Sequence, residues 1–124
     1  MNEGEIGEPL RGGPARILPF PPAAPKQVSF SRAELREILD LYGRKVADGE
    51  WRDYAIDFLR DKAVFSVFRR TSEMPLYRIE KDPKLARRQG AYAVVAASGL
   101  ILKRGHELAR VLGVLDRPLR VVTN

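Results

Sequence analysis

The sequence predicts an α+β domain, with two helices laid on one face of an antiparallel sheet of four to five strands. Three observations carry that prediction. Residues 31–49 hold a helical apolar stripe with a start signal at one end and a stop signal at the other. Residues 53–103 break into short alternating or β-branched stretches separated by turn residues. Residues 108–115 return to helical spacing ahead of Pro118. Strands gathered between two helices, rather than alternating with them, are the pattern of an α+β architecture.

The first helix has the strongest local signals. Ser31 is placed to cap it, and Glu34 three residues on completes a capping box, in which each side chain satisfies the other residue's backbone N–H. Phe30 can pack on Leu35 as a hydrophobic staple. Leu35, Ile38, Leu39, Tyr42 and Val46 follow as one apolar stripe. Arg32, Arg36, Glu37, Asp40 and Arg44 fall toward water. Gly49 is the expected left-handed residue just past the helix.

The strands come next. In Asp53–Arg60, Tyr54, Ile56 and Phe58 share one face, and Ala55, Asp57 and Leu59 the other. Arg60-Asp61-Lys62 reads as a hairpin turn. Ala63–Arg69 is β-branched and aromatic, with Phe65 and Val67 opposite Val64, Ser66 and Phe68. Glu73-Met74-Pro75 breaks it. Leu76–Lys81 is a third strand, with Tyr77 and Ile79 facing one way and Arg78 and Glu80 the other. Close spacing makes a meander the economical topology. Asp82-Pro83 signals an N-cap with proline at the first helical position, so Lys84–Gln89 reads as one or two helical turns ended by Gly90. Ala91–Ala97 is a strand buried on both faces. Ser98-Gly99 is a turn, and Leu100–Lys103 is a short fifth strand. Leu108, Val111, Leu112 and Leu115 line the second helix. Leu119–Val122 is either a last short strand or a docked tail. The expected core comprises Leu35, Ile38, Leu39, Tyr42, Ile56, Phe58, Phe65, Val67, Ile79, Val94, Leu108 and Leu112.

Residues 1–27 read as a disordered tail rich in Pro and Gly, leaving residues 28–124 as a single domain. Pro14, Pro19, Pro21, Pro22 and Pro25 deny the tail helical and ladder donors. Its apolar stretch, Ile17–Pro22, has three readings. It is a polyproline II ligand, since Pro19-x-x-Pro22 and Pro22-x-x-Pro25 fit PxxP; it folds back through Leu18 and Phe20; or it is inert.

Composition removes whole classes of chemistry. The 124 residues include no cysteine. Disulfides, cysteine-ligated zinc, iron–sulfur clusters and thiol catalysis are therefore excluded. No apolar run approaches the length of a membrane span. The opening Met1-Asn2-Glu3-Gly4-Glu5 is acidic where a secretory signal carries positive charge. A cytoplasmic protein is expected. The net charge is +6, and it is uneven. Residues 1–27 are neutral and residues 28–68 carry −1, whereas residues 69–124 carry +7, with twelve basic groups against five acidic ones. Such asymmetry favours an anionic partner.

No catalytic constellation is visible. His106 is the one histidine, and no Gly-x-Ser-x-Gly elbow accompanies it, so a capping or surface role is expected. Asp53 and Asp57 share a strand face as paired carboxylates would, yet Arg52, Arg60 and Lys62 beside them make surface ion pairing the simpler account. Gly90 and Gly99 build no phosphate loop. Neither a cofactor nor a metal site is expected. Trp51, the only tryptophan, is expected to anchor packing at the helix-to-strand junction.

The basic cluster is the feature that stands out. Arg69, Arg70, Arg78, Lys84, Arg87, Arg88, Lys103 and Arg104, with Lys81 among them, are interleaved with Tyr77 and Tyr92. Such cations neutralise phosphates and such tyrosines stack bases. The plainer alternative is a solvated face whose tyrosines belong to the core. The expected function is a small non-enzymatic binding or regulatory module that docks nucleic acid or an acidic protein through this region. The alternative is a protein-interaction adaptor acting through the tail, a sheet edge or homodimer formation.

Several separated runs also agree with a known family. These are Leu41-Tyr42-Gly43-Arg44-Lys45-Val46-Ala47-Asp48-Gly49-Glu50-Trp51-Arg52-Asp53-Tyr54-Ala55, Ala63-Val64-Phe65-Ser66-Val67-Phe68-Arg69-Arg70, Pro75-Leu76-Tyr77-Arg78-Ile79-Glu80-Lys81 and Leu102-Lys103-Arg104-Gly105-His106. Over most of the chain beyond the tail they resemble the bacterial domain of unknown function DUF2794. The resemblance implies a bacterial, cytoplasmic, free-standing domain. It brings no activity, cofactor or catalytic residue with it.

Overall fold

The computed structural model describes residues 26–70 and 74–116. The expectations for the N-terminal tail, for Glu73 and for Pro118 to Val122 lie outside the described residues. Helix α1 spans Arg32–Ala47. Strands β1 (Asp53–Phe58), β2 (Ala63–Phe68) and β3 (Tyr77–Lys81) follow, then a 3-10 turn at Pro83–Leu85, β4 (Tyr92–Ala96), β5 (Ile101–Gly105) and α2 (Leu108–Asp116). The five strands pair in chain order as an antiparallel meander.

The local reasons for α1 hold at both ends. Ser31 Oγ accepts the Glu34 N–H at 3.1 Å, and Glu34 Oε1 accepts the Ser31 N–H at 2.7 Å. Asp48 is the C-cap, and Gly49 follows at φ 78°, a left-handed conformation that suits glycine.

Register sorts the strand residues onto two faces. Ile56, Phe65, Ile79 and Val94 form one cross-strand row, and Tyr54, Val67 and Tyr77 form the next. These rows join Ile38, Leu41, Leu108, Val111, Leu112 and Leu115 of the helices in one core. Both helices thus cover the same sheet face. The opposite face carries Asp57, Val64, Glu80, Ala93 and Arg104 in one row and Ala55, Ser66, Arg78 and Val95 in the next. At its centre the buried Glu80 accepts from Lys62 and Arg78, each at 3.2 Å.

Two expected core residues lie outside it. Leu39 is 38% exposed and Phe58 39%. The buried line of α1 runs through Ile38, Leu41 and Lys45, so Leu39, about 100° around the helix from Ile38, sits on the shoulder of that face. Leu35 and Tyr42 on the same shoulder are half-buried. Phe58 points to the core face, but it ends β1, the outermost strand. Lys45 takes a position that a polar letter hides: its stem is buried and its ammonium reaches Glu50 at 3.4 Å. β5 also runs two residues past its expected end at Lys103, to Gly105. No described helix is long and apolar enough to cross a membrane.

Candidate functional site

Antiparallel pairing of short strands sets two ends about 15–20 Å apart, and cations collect at both. One end is where α1 stops. Glu50 and Trp51 both donate their N–H groups back to Lys45 O, and the chain reverses through Gly49 into β1. Trp51 is 3% exposed, packed between the rings of Tyr42 and Tyr77 at 6.1 and 6.4 Å. Arg52 donates its N–H to Phe68 O at 2.8 Å. That bond places Arg52 beside the end of β2, where Arg69 and Arg70 follow. The result is a cavity of about 570 Å³ lined by Val46, Gly49, Trp51, Arg52, Arg69 and Arg70. No described carboxylate lines it. The C-terminus of α1 brings partial negative charge of about half an electron, against which stand the exposed guanidinium groups of Arg52 and Arg69, with Arg70 beside them.

The other end is where α1 begins. Asp82 Oδ1 accepts the Lys84 N–H and so caps the 3-10 turn. Lys84 reaches Asp61 at 3.4 Å, with both side chains largely in water. Arg87 and Arg88 are exposed on the loop that follows, without a carboxylate partner among the described residues. Gly90 closes the loop at φ 110°, and a Cβ there would lie 2.2 Å from the Gly105 carbonyl. Arg104 donates to Gly90 O at 3.4 Å. Arg104, Lys103, His106 and Arg110 line a cavity of about 430 Å³, in which Arg110 is already paired with Glu107 at 3.0 Å.

Glu34 organises this second end. Its carboxylate accepts from the Tyr92 hydroxyl and, at 2.9 Å, from Lys81 Nζ, which also donates to Ser29 O. Burial pushes the Glu34 carboxyl up, but the Tyr92, Lys81 and Ser31 hydrogen bonds and the Lys81 charge outweigh it and hold it below its ordinary value. The Tyr92 hydroxyl is pushed up to about 12 by burial, by its hydrogen bond to Glu34, and by the charges of Glu34 and Glu37. A groove of about 700 Å³ adjoins the network, bordered by Arg32, Arg36, Tyr92 and His106.

The predicted basic residues are therefore divided. Arg69 and Arg70 belong to the α1 C-terminal end. Lys84, Arg87, Arg88 and Arg104 belong to the other. Lys103 lies exposed on β5, and Arg78 is bound to Glu80 on the open sheet face. Tyr77 packs into the core against Trp51, and the Tyr92 hydroxyl is committed to Glu34. Both rings are half-buried, and Tyr92 also borders the groove beside Arg32 and His106. Asp53 and Asp57 share the open face, and neither lines any of these cavities. No group of three His, Asp or Glu among the described residues is placed to hold a metal ion.

Sequence reasoning missed Arg52 as a member of the arginine cavity, because its neighbours in the chain are Trp51 and Asp53. The signal was available in the predicted hairpin, which sets the start of β1 against the end of β2. It missed Glu34 as a network centre because the capping box already accounted for that residue.

No curated protein and no solved structure matches the chain. Residues 28–112 match the family described as a protein of unknown function, DUF2794, and the chain belongs to that family.

Proposed function

We propose that this chain is a non-enzymatic binding module that docks an anionic partner, with nucleic acid as its most concrete form. One observation carries the reading. Among the described acids of the basic C-terminal region, Glu80, Asp82, Glu107 and Asp116 are all engaged inside the domain. Arg69, Arg87, Arg88 and Lys103 are exposed and make no ion pair with a described residue. Their charge is available to a partner. Tyr77 is packed against Trp51 and the Tyr92 hydroxyl is held by Glu34, which favours phosphate neutralisation over base stacking, so sequence-neutral, salt-sensitive binding is expected. Fluorescence anisotropy with a labelled DNA or RNA duplex tests this across salt concentrations. The expected result is a steep loss of affinity with salt, with Arg87→Ala plus Arg88→Ala lowering the slope by about two. Undetectable or salt-independent binding would sink the reading.

A second reading, a protein-interaction adaptor, rests on the β5 edge. Leu100, just before β5, and Ile101 and Leu102, which begin that outermost strand, are 63, 48 and 36% exposed in succession, a composition suited to pairing with another chain. Light scattering that shows a monomer at every concentration would remove its homodimer version.

A further inference from the structure

We infer that the Trp51 cavity is a binding site for a phosphate monoester, carried either on a small metabolite or on the 5′ end of a nucleic-acid strand. The inference rests on the anionic-partner reading but is narrower, since it concerns one site rather than the whole basic surface. Arg52, just before β1, and Arg69, just after β2, are set side by side by the backbone bond from the Arg52 N–H to Phe68 O, and Arg70 follows on the same rim. The volume of about 570 Å³ lies within the range of small-molecule sites. A monoester fits this lining better than other anions do. Near neutral pH it carries between one and a half and two negative charges on three oxygens, and guanidinium forks match such oxygens two at a time. A carboxylate brings one charge and two oxygens. An internal diester brings one charge and only two unesterified oxygens. Val46, 42% exposed on the rim, supplies apolar contact for the group that carries the phosphate.

Trp51 is the only tryptophan, so its emission reports on this cavity alone. The test titrates the full chain with adenosine 5′-monophosphate, adenosine, inorganic phosphate, and one oligonucleotide with either a 5′-phosphate or a 5′-hydroxyl. The expected result is a saturable change in Trp51 emission with phosphate-bearing probes and none with adenosine or the 5′-hydroxyl strand. Arg69→Ala and Arg52→Ala should each weaken it about tenfold or more, as loss of a charged hydrogen-bonding partner does. Response to the monophosphate and to inorganic phosphate assigns the small-ester source; response to the phosphorylated strand alone assigns the strand end. Arg87→Ala plus Arg88→Ala should leave these titrations unchanged while weakening duplex binding, so the two proposals fail separately. Circular dichroism confirms that each variant is folded. Arg69→Lys, which keeps the charge and loses the fork, should still bind more weakly than the parent. Equal response to adenosine and its monophosphate, no response to any phosphate, or phosphate binding that survives both arginine substitutions would overturn the inference.

Discussion

Where α1 begins, the Lys81 ammonium pairs with Glu34 at 2.9 Å, the Tyr92 hydroxyl donates a hydrogen bond to the same carboxylate, and Gly90 packs its backbone onto Gly105. Where α1 ends, Arg52, Arg69 and Arg70 surround a cavity that no described carboxylate enters. The first end is closed by its own hydrogen bonds, and substitutions there should appear as lost stability. The second end is held by backbone bonds and the Trp51 packing, so the side chains of Arg52 and Arg69 are expected to be dispensable to the fold. Cation count alone does not separate the two; the location of the carboxylates does.

The largest effect that could break this contrast is at Gly90. An alanine Cβ meets the Gly105 carbonyl at 2.2 Å on a backbone at φ 110°. Gly90→Ala should therefore destabilise by about 3 kcal/mol or more, combining steric conflict with a strained conformation. Denaturant unfolding measures it, and a change under half that size would show that the strand ends are not closely locked.

Glu34→Ala comes next. It removes a cap and leaves the largely buried Lys81 without its carboxylate. A loss of about 2 kcal/mol is expected, read from the same unfolding curves.

The same network makes a two-sided pH prediction. The Glu34 carboxyl is held below its ordinary value of 4.5. Its contribution is present above about pH 4.5 and is lost as pH falls through the depressed folded value. The Tyr92 hydroxyl is raised from 10.0 to about 12. Its contribution is present below pH 10 and is lost as pH rises toward 12, because the unfolded chain ionises first. Thermal melts across pH should fall on both limbs. Tyr92→Phe should flatten the alkaline limb, and an unchanged limb would separate Tyr92 from the network.

The smallest effect is the sharpest contrast. Arg52→Ala and Arg69→Ala should each change stability by less than about 0.5 kcal/mol, as exposed side chains without structural partners do. A loss above about 1.5 kcal/mol would make the arginine cavity a structural element rather than a binding one.

Much of this protein is settled by local chemistry. Ser31 and Glu34 announce the start of α1, Gly49 announces its end, and alternation in residues 53–58 and 77–81 sorts core face from open face. These follow from backbone donors needing partners and from the twofold strand repeat, both readable along the chain. The apolar letters of α1 mark a broad stripe, yet packing chose Ile38, Leu41 and Lys45 as its centre and left Leu39 on the shoulder. The basic letters mark an excess of charge, yet only pairing across the sheet decided that Arg78 serves Glu80 while Arg52 joins Arg69. Helix caps and strand periodicity act over a few residues, so the sequence by itself determines them. Which charges meet depends on strand register and on the direction in which each helix faces, and those are set by the burial of the whole core at once.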